Sequence, residues 1–200
     1  MQQTERILLL GCGILKKEID YLIAKHKWPV DSLWFDSSLH VDFSALELTL
    51  RHALQRNQQR CKLVFYGTCH PLMDKILGQD VRRVAGQNCV DILLGNELFT
   101  EKLAEGAFFL LEDWALHWEH VTARTFGSNP VILREIFQLS HTHLLCLRTP
   151  CSGDFSAAAA AVGQKVGLPL RWLDVSLDNL ESVPHAGKQS PKEATQCPNP

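Results

Sequence analysis

The sequence lacks an excess of basic residues, a long apolar segment and closely paired cysteines. Its 200 residues carry 20 Lys and Arg against 22 Asp and Glu, which gives a formal net charge of -2. Nucleic acid and anionic lipid are bound through clustered positive charge, so we expect neither as a partner. No apolar stretch approaches the roughly 20 residues of a membrane helix, and the first residues lack the features of a signal peptide. We therefore expect a soluble, cytoplasmic protein.

The absence of any C-x-x-C pair removes the most compact zinc-site signature, although the chain has 7 cysteines. A disulfide framework is not expected, because the cytosol keeps thiols reduced and the number is odd. Cys61 and Cys146 lie at or within apolar strands, which predicts core positions, and Cys197 lies near the C-terminus.

Short apolar runs alternate with segments of helical periodicity. Strands are predicted at 6–11, 32–35 and 62–66, separated by a helix over 14–26 and another that ends near residue 60. This β-α-β-α-β order is typical of a parallel sheet wound by crossover helices. Further predicted elements are strands at 107–111, 143–147 and 170–173, and helices at 71–77, 90–94, 112–123, 130–139 and 155–166.

The predicted fold is therefore α/β, with three layers. An open, mainly parallel sheet carries crossover helices on both faces, which is the doubly wound, Rossmann-like arrangement. Residues 1–183 are expected to form a single α/β domain. From residue 183 the composition turns to Pro, Gly, Lys, Ser and Gln, so 184–200 is predicted to be a disordered tail.

Three further cysteines, Cys12, Cys69 and Cys89, each lie where a loop would present them just before a predicted helix. In an open α/β sheet, ligands collect beyond the carboxyl ends of the strands. A helix N-terminus favours the thiolate form, and thiolate is a soft ligand for zinc, copper(I) and iron–sulfur clusters. The pattern predicts that these cysteines share a metal site. The alternative is three small side chains buried in a packed domain.

Other residues are candidates for completing such a site. His40 follows the second predicted strand, on the same edge of the sheet as the cysteines, and could ligate or carry a proton. His70 is adjacent to Cys69, and Cys151 lies between a predicted strand and a helix. Whether His70 or Cys151 joins the site stays open.

The turn Gly11-Cys12-Gly13 resembles the start of a dinucleotide or S-adenosylmethionine loop. The third glycine of that motif is missing, and Lys16-Lys17 stands at the helix start instead. A tight strand-to-helix turn explains the two glycines equally well.

Taken in order, these motifs resemble the prokaryotic family known as domain of unknown function 1638. The resemblance spans most of residues 5–180. The chain departs from the family pattern at Asn88, where relatives often have an acidic residue, and at His70-Pro71-Leu72, where they are richer in glycine. The motifs that carry it are Gly11-Cys12-Gly13-Ile14-Leu15, Leu39-His40, Tyr66-Gly67-Thr68-Cys69, Asn88-Cys89 before Leu93-Leu94-Gly95, and Gly106-Ala107-Phe108-Phe109-Leu110-Leu111 before Trp114.

The resemblance supports a shared site for Cys12, Cys69 and Cys89, because these loop cysteines are the positions that match the family. It also implies a link to corrinoid-dependent methyl transfer or one-carbon metabolism, with a corrinoid or methyltransferase-system protein as partner. We therefore expect a metal-binding α/β protein in which Cys12, Cys69 and Cys89, with His40, hold a zinc ion or an iron–sulfur cluster with an open position.

Two other functions stay open at this point. One is a non-catalytic accessory or binding protein with structural thiols, and the other is a nucleotide- or S-adenosylmethionine-dependent enzyme. The sequence assigns no general base, nucleophile or substrate.

Overall fold

The computed structural model of the chain describes residues 6–79, 81–126 and 129–183, which contain seven strands and ten α-helices. The strands are β1 (Ile7–Cys12), β2 (Val30–Phe35), β3 (Lys62–Phe65), β4 (Arg82–Arg83), β5 (Ala107–Leu110), β6 (His143–Arg148) and β7 (Leu170–Asp174). The helices are α1 (Lys16–His26), α2 (Phe43–Arg56), α3 (Met73–Leu77), α4 (Cys89–Leu94), α5 (Asn96–Ala104), α6 (Glu112–Leu116), α7 (Trp118–Phe126), α8 (Pro130–Ser140), α9 (Ser156–Val166) and α10 (Asp178–Glu181).

The described strands form two parallel sheets. The first has the order β2-β1-β3-β4 and the second the order β5-β6-β7. The predicted α/β class and the Rossmann-like three-layer arrangement are confirmed. The sequence had suggested one continuous sheet, whereas the structure divides the strands into two.

Burial of the central strands explains their sequence. All six residues of β1 are buried, including Leu8, Leu9 and Leu10. A parallel strand covered on both faces has no solvent side, so it reads as a continuous apolar run. The same core cluster takes in Leu145 and Leu147 of β6, so one core extends across both sheets.

A second cluster covers the other face of β5 and β6. It contains the strand residues Leu110, Leu144 and Cys146 together with Trp118 and Phe137 from the helices. Cys146 is fully buried, and burial raises the pKa of its thiol to about 11. The prediction of a core position for Cys146 is therefore confirmed.

The strand order creates a crevice at the carboxyl end of the first sheet. From β1 the chain passes through α1 to β2 on one side, whereas β3, on the other side of β1, leads through α3 to β4. The connections after β1 and β3 thus leave in opposite directions. Ligands of open α/β sheets bind at such a switch point.

Some elements differ from the sequence prediction. The helix predicted over 112–123 is two helices, α6 and α7, with His117 between them. Strand β4 and helices α5 and α10 were not predicted. β4 consists of two arginines, and α5 has only one buried residue, Phe99, so neither shows an apolar pattern.

None of the helices in the described part of the chain is long and apolar enough to cross a membrane. The tail predicted over 184–200 lies outside the described residues.

Candidate functional site

Three cysteine side chains meet at the switch point of the first sheet. Cys12 is the last residue of β1, Cys69 lies in the loop that leaves β3, and Cys89 is the first residue of α4. The Cys89 thiol makes hydrogen bonds with the sulfur atoms of both Cys12 and Cys69. Residues far apart in the sequence therefore form one sulfur cluster, which we call the thiol cluster.

Close backbone packing holds Cys69 beside Cys89. The Thr68 amide and hydroxyl both donate to the Gln87 carbonyl oxygen, at 2.8 and 3.0 Å. A Cβ atom added to Gly67 would lie 2.4 Å from the backbone of Gln87 and Asn88. Only glycine allows this approach, which brings the exit of β3 against the entrance of α4.

Asn88 fixes the start of α4. Its side-chain oxygen accepts hydrogen bonds from the amides of Val90 and Asp91, at 2.9 and 3.0 Å. The buried Asp91 carboxylate in turn accepts from the Gln87 amide at 2.6 Å. These bonds cap a helix of six residues and orient Cys89 at its first position.

The cluster has unequal affinities for protons. The pKa of Cys69 is lowered, chiefly by the hydrogen bond from Cys89 and further by the amides of Gly67 and Cys69 and the charge of Arg83. The pKa of Cys89 is raised well above that of an ordinary thiol by its hydrogen bonds with the other two sulfurs and by burial. Cys69 therefore loses its proton more readily than Cys89, which donates a hydrogen bond to it.

Tyr66 lies against the cluster and was missed by the sequence reasoning, although it stands in the motif that contains Cys69. Its side chain is 1% exposed, and burial together with the charges of the nearby thiols raises its pKa. Its hydroxyl interacts with the Cys12 sulfur, and within the described residues it makes no other hydrogen bond. A polar atom buried in this way is available to a bound ligand.

A cavity of about 200 Å³ opens beside the thiol cluster. Its polar side is formed by Cys12, Cys69, Cys89, His40 and Tyr66 with Asn88. The structure therefore brings all four predicted site residues to one cavity. His141 also lines the cavity. The remaining lining residues are apolar or aromatic: Ile14, Val90, Phe99, Leu103, Ala107, Phe108, Phe109 and Trp114.

His40 belongs to the 3-10 turn Ser37–Val41, which follows β2. Its ring meets Trp114 edge-on, with the ring centres 4.7 Å apart. Burial lowers the pKa of His40, so the imidazole is neutral at pH 7. A neutral imidazole can bind a metal or accept a proton.

The structure does not bring His70 or Cys151 to the cavity. His70 is buried, accepts a hydrogen bond from the Leu72 amide at 2.9 Å and packs edge-on against Phe43. The Cys151 thiol is close to the Glu18 carboxyl group, and burial and that negative charge raise its pKa.

In this conformation, no group of three or more His, Cys, Asp or Glu side chains in the part of the chain described by the structure could hold a metal ion. A metal binds thiolates, whereas the raised pKa of Cys89 keeps the proton on its sulfur. A metal bound at the cluster would therefore have to replace this proton. The predicted metal therefore stays a prediction.

The glycines of the Gly11-Cys12-Gly13 turn are explained by packing. A Cβ atom on Gly11 would lie 2.3 Å from the Trp34 ring, and one on Gly13 would lie 2.9 Å from the Phe35 carbonyl oxygen. Both contacts are with the neighbouring strand β2. The glycines are therefore required without any bound phosphate, and no other feature of the turn favours a nucleotide.

Comparison with known proteins gives one family. Residues 34–183 match the model of a family described as protein of unknown function (DUF1638). The match includes His40, Cys69 and Cys89, and it begins after Cys12. No curated protein and no solved structure matches the chain.

Proposed function

The chain belongs to the DUF1638 family of proteins of unknown function, and from its site we propose that Cys12, Cys69 and Cys89 bind a soft metal centre. The observation that carries the proposal is the meeting of three thiols at the switch point of a parallel sheet. Three thiolates suit a zinc ion, or three irons of an iron–sulfur cluster whose fourth iron is free.

Binding would require the cluster to lose its remaining protons. Cys69 loses its proton more easily than Cys89, and Cys89 would have to give up the proton that it now donates to Cys69. Apart from the polar residues, the wall of the cavity is apolar or aromatic. A bound centre would supply a Lewis-acidic position for a thiol, an anion or a methyl acceptor.

His40 decides between the two kinds of centre in this proposal. Coordination by His40 would give a mixed sulfur and nitrogen set, which favours zinc. If His40 acts instead as a proton carrier, the three thiolates alone favour an iron–sulfur cluster. Visible charge-transfer absorption distinguishes the iron–sulfur cluster from zinc, which is colourless.

The test is the metal content of protein purified without oxygen. We expect about one zinc ion, or one iron–sulfur cluster, per chain in the wild type and almost none in Cys69→Ser. Cys151→Ser is the matched control, since Cys151 is also half-buried but does not line the cavity, and it should retain the metal. Near-zero zinc and iron in the wild type, even after reconstitution, would contradict the proposal.

The unequal pKa values favour a second candidate, thiol–disulfide exchange. The Cys69 thiolate would attack one sulfur of a low-molecular-weight disulfide, which forms a mixed disulfide and releases one thiolate. Cys89, after losing its proton, would then attack the Cys69 sulfur and release the second thiolate. The substrate disulfide is reduced by two electrons, and Cys69 and Cys89 become a disulfide.

Oxidised glutathione and reduced, metal-free protein test this second candidate. Mass spectrometry should find a Cys69–Cys89 disulfide in the wild type and a stable glutathione adduct on Cys69 in Cys89→Ser. An adduct that persists on Cys69 of the wild type would rule the exchange out.

The proposed partner is a protein of a corrinoid or methyltransferase system, and this rests on the family resemblance alone. A cavity of about 200 Å³ is far smaller than a corrin ring, so a corrinoid would have to approach from outside. If the protein is instead an accessory protein with structural thiols, Cys12→Ser should leave both metal content and thiol exchange unchanged.

A further inference from the structure

We propose that the cavity beside the thiol cluster binds a neutral, largely apolar ligand, about the size of a substituted benzene, that carries one hydrogen-bond acceptor. The inference deepens the proposed function and rests on it for the location of the site. It does not depend on the metal, because the cavity is formed by side chains of the protein alone.

The lining of the cavity is uncharged. None of its lining residues is Asp, Glu, Lys or Arg. The His141 imidazole is neutral at pH 7, because burial lowers its pKa. A charged ligand would therefore lose its hydration without gaining a partner.

The size and shape of the cavity suit a small aromatic or branched aliphatic molecule. An apolar cavity of roughly 150 Å³ is enough to hold benzene, and this one measures about 200 Å³. The additional volume accommodates one substituent. Phe108 and His40 both have ring contacts with Trp114, with centres 6.4 and 4.7 Å apart, so the wall offers aromatic surfaces to such a ligand.

Two buried polar groups point to the acceptor. The Trp114 indole N–H and the Tyr66 hydroxyl both belong to residues that line the cavity. The indole N–H has no hydrogen-bond partner within the described residues, and the Tyr66 hydroxyl has the sulfur of Cys12 as its neighbour. The indole N–H is only a donor. A carbonyl or ether oxygen on the ligand would accept a hydrogen bond from this N–H. A purely apolar ligand would leave the N–H unpaired.

The test compares three ligands with the same number of non-hydrogen atoms. Acetophenone is neutral and has one carbonyl acceptor, benzoate is an anion and benzamidine is a cation. We expect calorimetry on reduced, metal-free protein at pH 7.5 to show binding of acetophenone and at least roughly tenfold weaker binding of the other two, as a difference of one unpaired charge implies.

Variants test the hydrogen bond. Trp114→Phe should weaken acetophenone binding by about three- to tenfold, which corresponds to one lost hydrogen bond. Tyr66→Phe gives a second variant if Trp114→Phe does not fold. Trp172→Phe is the matched control, because Trp172 packs against Phe155 and does not line the cavity.

The outcomes separate this inference from the metal proposal. Equal or stronger binding of benzoate or benzamidine, or no binding of acetophenone to either the metal-free or the zinc-treated protein, would overturn the inference. Binding of acetophenone by a protein that takes up no metal would contradict the metal centre alone.

Discussion

At the scale of single residues, the cysteines of the thiol cluster differ in how readily each loses its proton. Cys69 and Cys89 are the same residue type, yet their pKa values shift in opposite directions. The difference arises because Cys69 receives hydrogen bonds and lies near Arg83, whereas Cys89 is buried and acts as the donor. Local sequence alone does not separate these two roles.

Alkylation of metal-free protein tests this division. The rate at Cys69 should rise with a midpoint below pH 9.0, the ordinary thiol value, because its folded pKa is lowered. Cys89→Ala removes the principal hydrogen bond and should move the midpoint to higher pH, whereas Cys89→Ser keeps a donor and should restore much of the shift. The rates are measured with iodoacetamide and mass spectrometry.

Cys151 provides an internal comparison in the same experiment. Its pKa is raised, so it should react only at higher pH, and its profile should be the same in all three proteins. A Cys69 midpoint that does not move in Cys89→Ala would show that the Cys89 thiol does not stabilise the thiolate.

At the scale of elements, the site depends on two features that hold short segments in place. One is the Asn88 cap of α4, and the other is the approach of Gly67 to the same segment. Helix α4 has only six residues, so its own backbone hydrogen bonds contribute little and the cap matters more.

Asn88→Ala should lower the free energy of unfolding by about 1 kcal/mol, as loss of an N-cap does. Asn129→Ala is the matched control, since Asn129 caps α8 through the amides of Val131 and Ile132. Both variants should lose similar stability in urea unfolding. Only Asn88→Ala should also raise the alkylation midpoint of Cys69, because only that cap positions Cys89. Equal midpoints in the two variants would contradict this role.

Gly67→Ala should destabilise the protein by roughly 1–3 kcal/mol, the typical effect of forcing atoms into a packed region. The new Cβ atom would lie 2.4 Å from rigid backbone at Gln87 and Asn88, so the two loops must separate. We expect weaker contact between Cys69 and Cys89 and a higher alkylation midpoint for Cys69.

Gly153→Ala is the control for the Gly67 variant. Its added Cβ would meet the end of the Glu112 side chain at 3.0 Å, which can move aside. Unfolding in urea and the alkylation profile should both stay close to those of the wild type. A normal profile in Gly67→Ala would mean that the loop approach does not control the cluster.

At the scale of the whole molecule, polar contacts connect the two sheets. Glu18 of α1 is 5% exposed, and Thr149, which follows β6, donates a hydrogen bond to its carboxyl group at 2.6 Å. Near it, Lys17 pairs with Glu112 at 2.8 Å. These contacts join a helix of the first sheet to segments of the second.

Glu18→Gln should stabilise the protein more as the pH rises. Burial raises the pKa of Glu18 above 4.5 in the folded state, so the unfolded chain loses this proton first. The wild type is then destabilised as the pH increases from about 4.5 through the folded pKa, and the uncharged Gln avoids this. Thermal unfolding from pH 4 to pH 8 measures the difference.

Glu135→Gln is the control for loss of one negative charge, because Glu135 is exposed on α8. A constant difference between wild type and Glu18→Gln over the same range would show that Glu18 is equally easy to ionise in both states.

The fold class was predictable because its cause is local. A strand that is buried on both faces must be apolar throughout, so the run at 6–11 reveals β1 by itself. The periodic apolar residues Ile19 and Leu22 reveal α1 in the same way. β4 is an edge strand of two arginines, and α5 is a helix with one buried residue. Neither has an apolar run or an apolar periodicity in its sequence, so both were missed.

By itself, the sequence determined that the chain is an α/β protein, and it predicted Cys12, Cys69 and Cys89 just before helices and His40 after the second strand. Only the tertiary structure decided that these side chains share one cavity, that His70 and Cys151 lie elsewhere and that the strands form two sheets. The physical reason is that strand and helix patterns arise from neighbours along the chain. Contacts between thiols, pKa shifts and cavity walls arise from segments that only folding brings together.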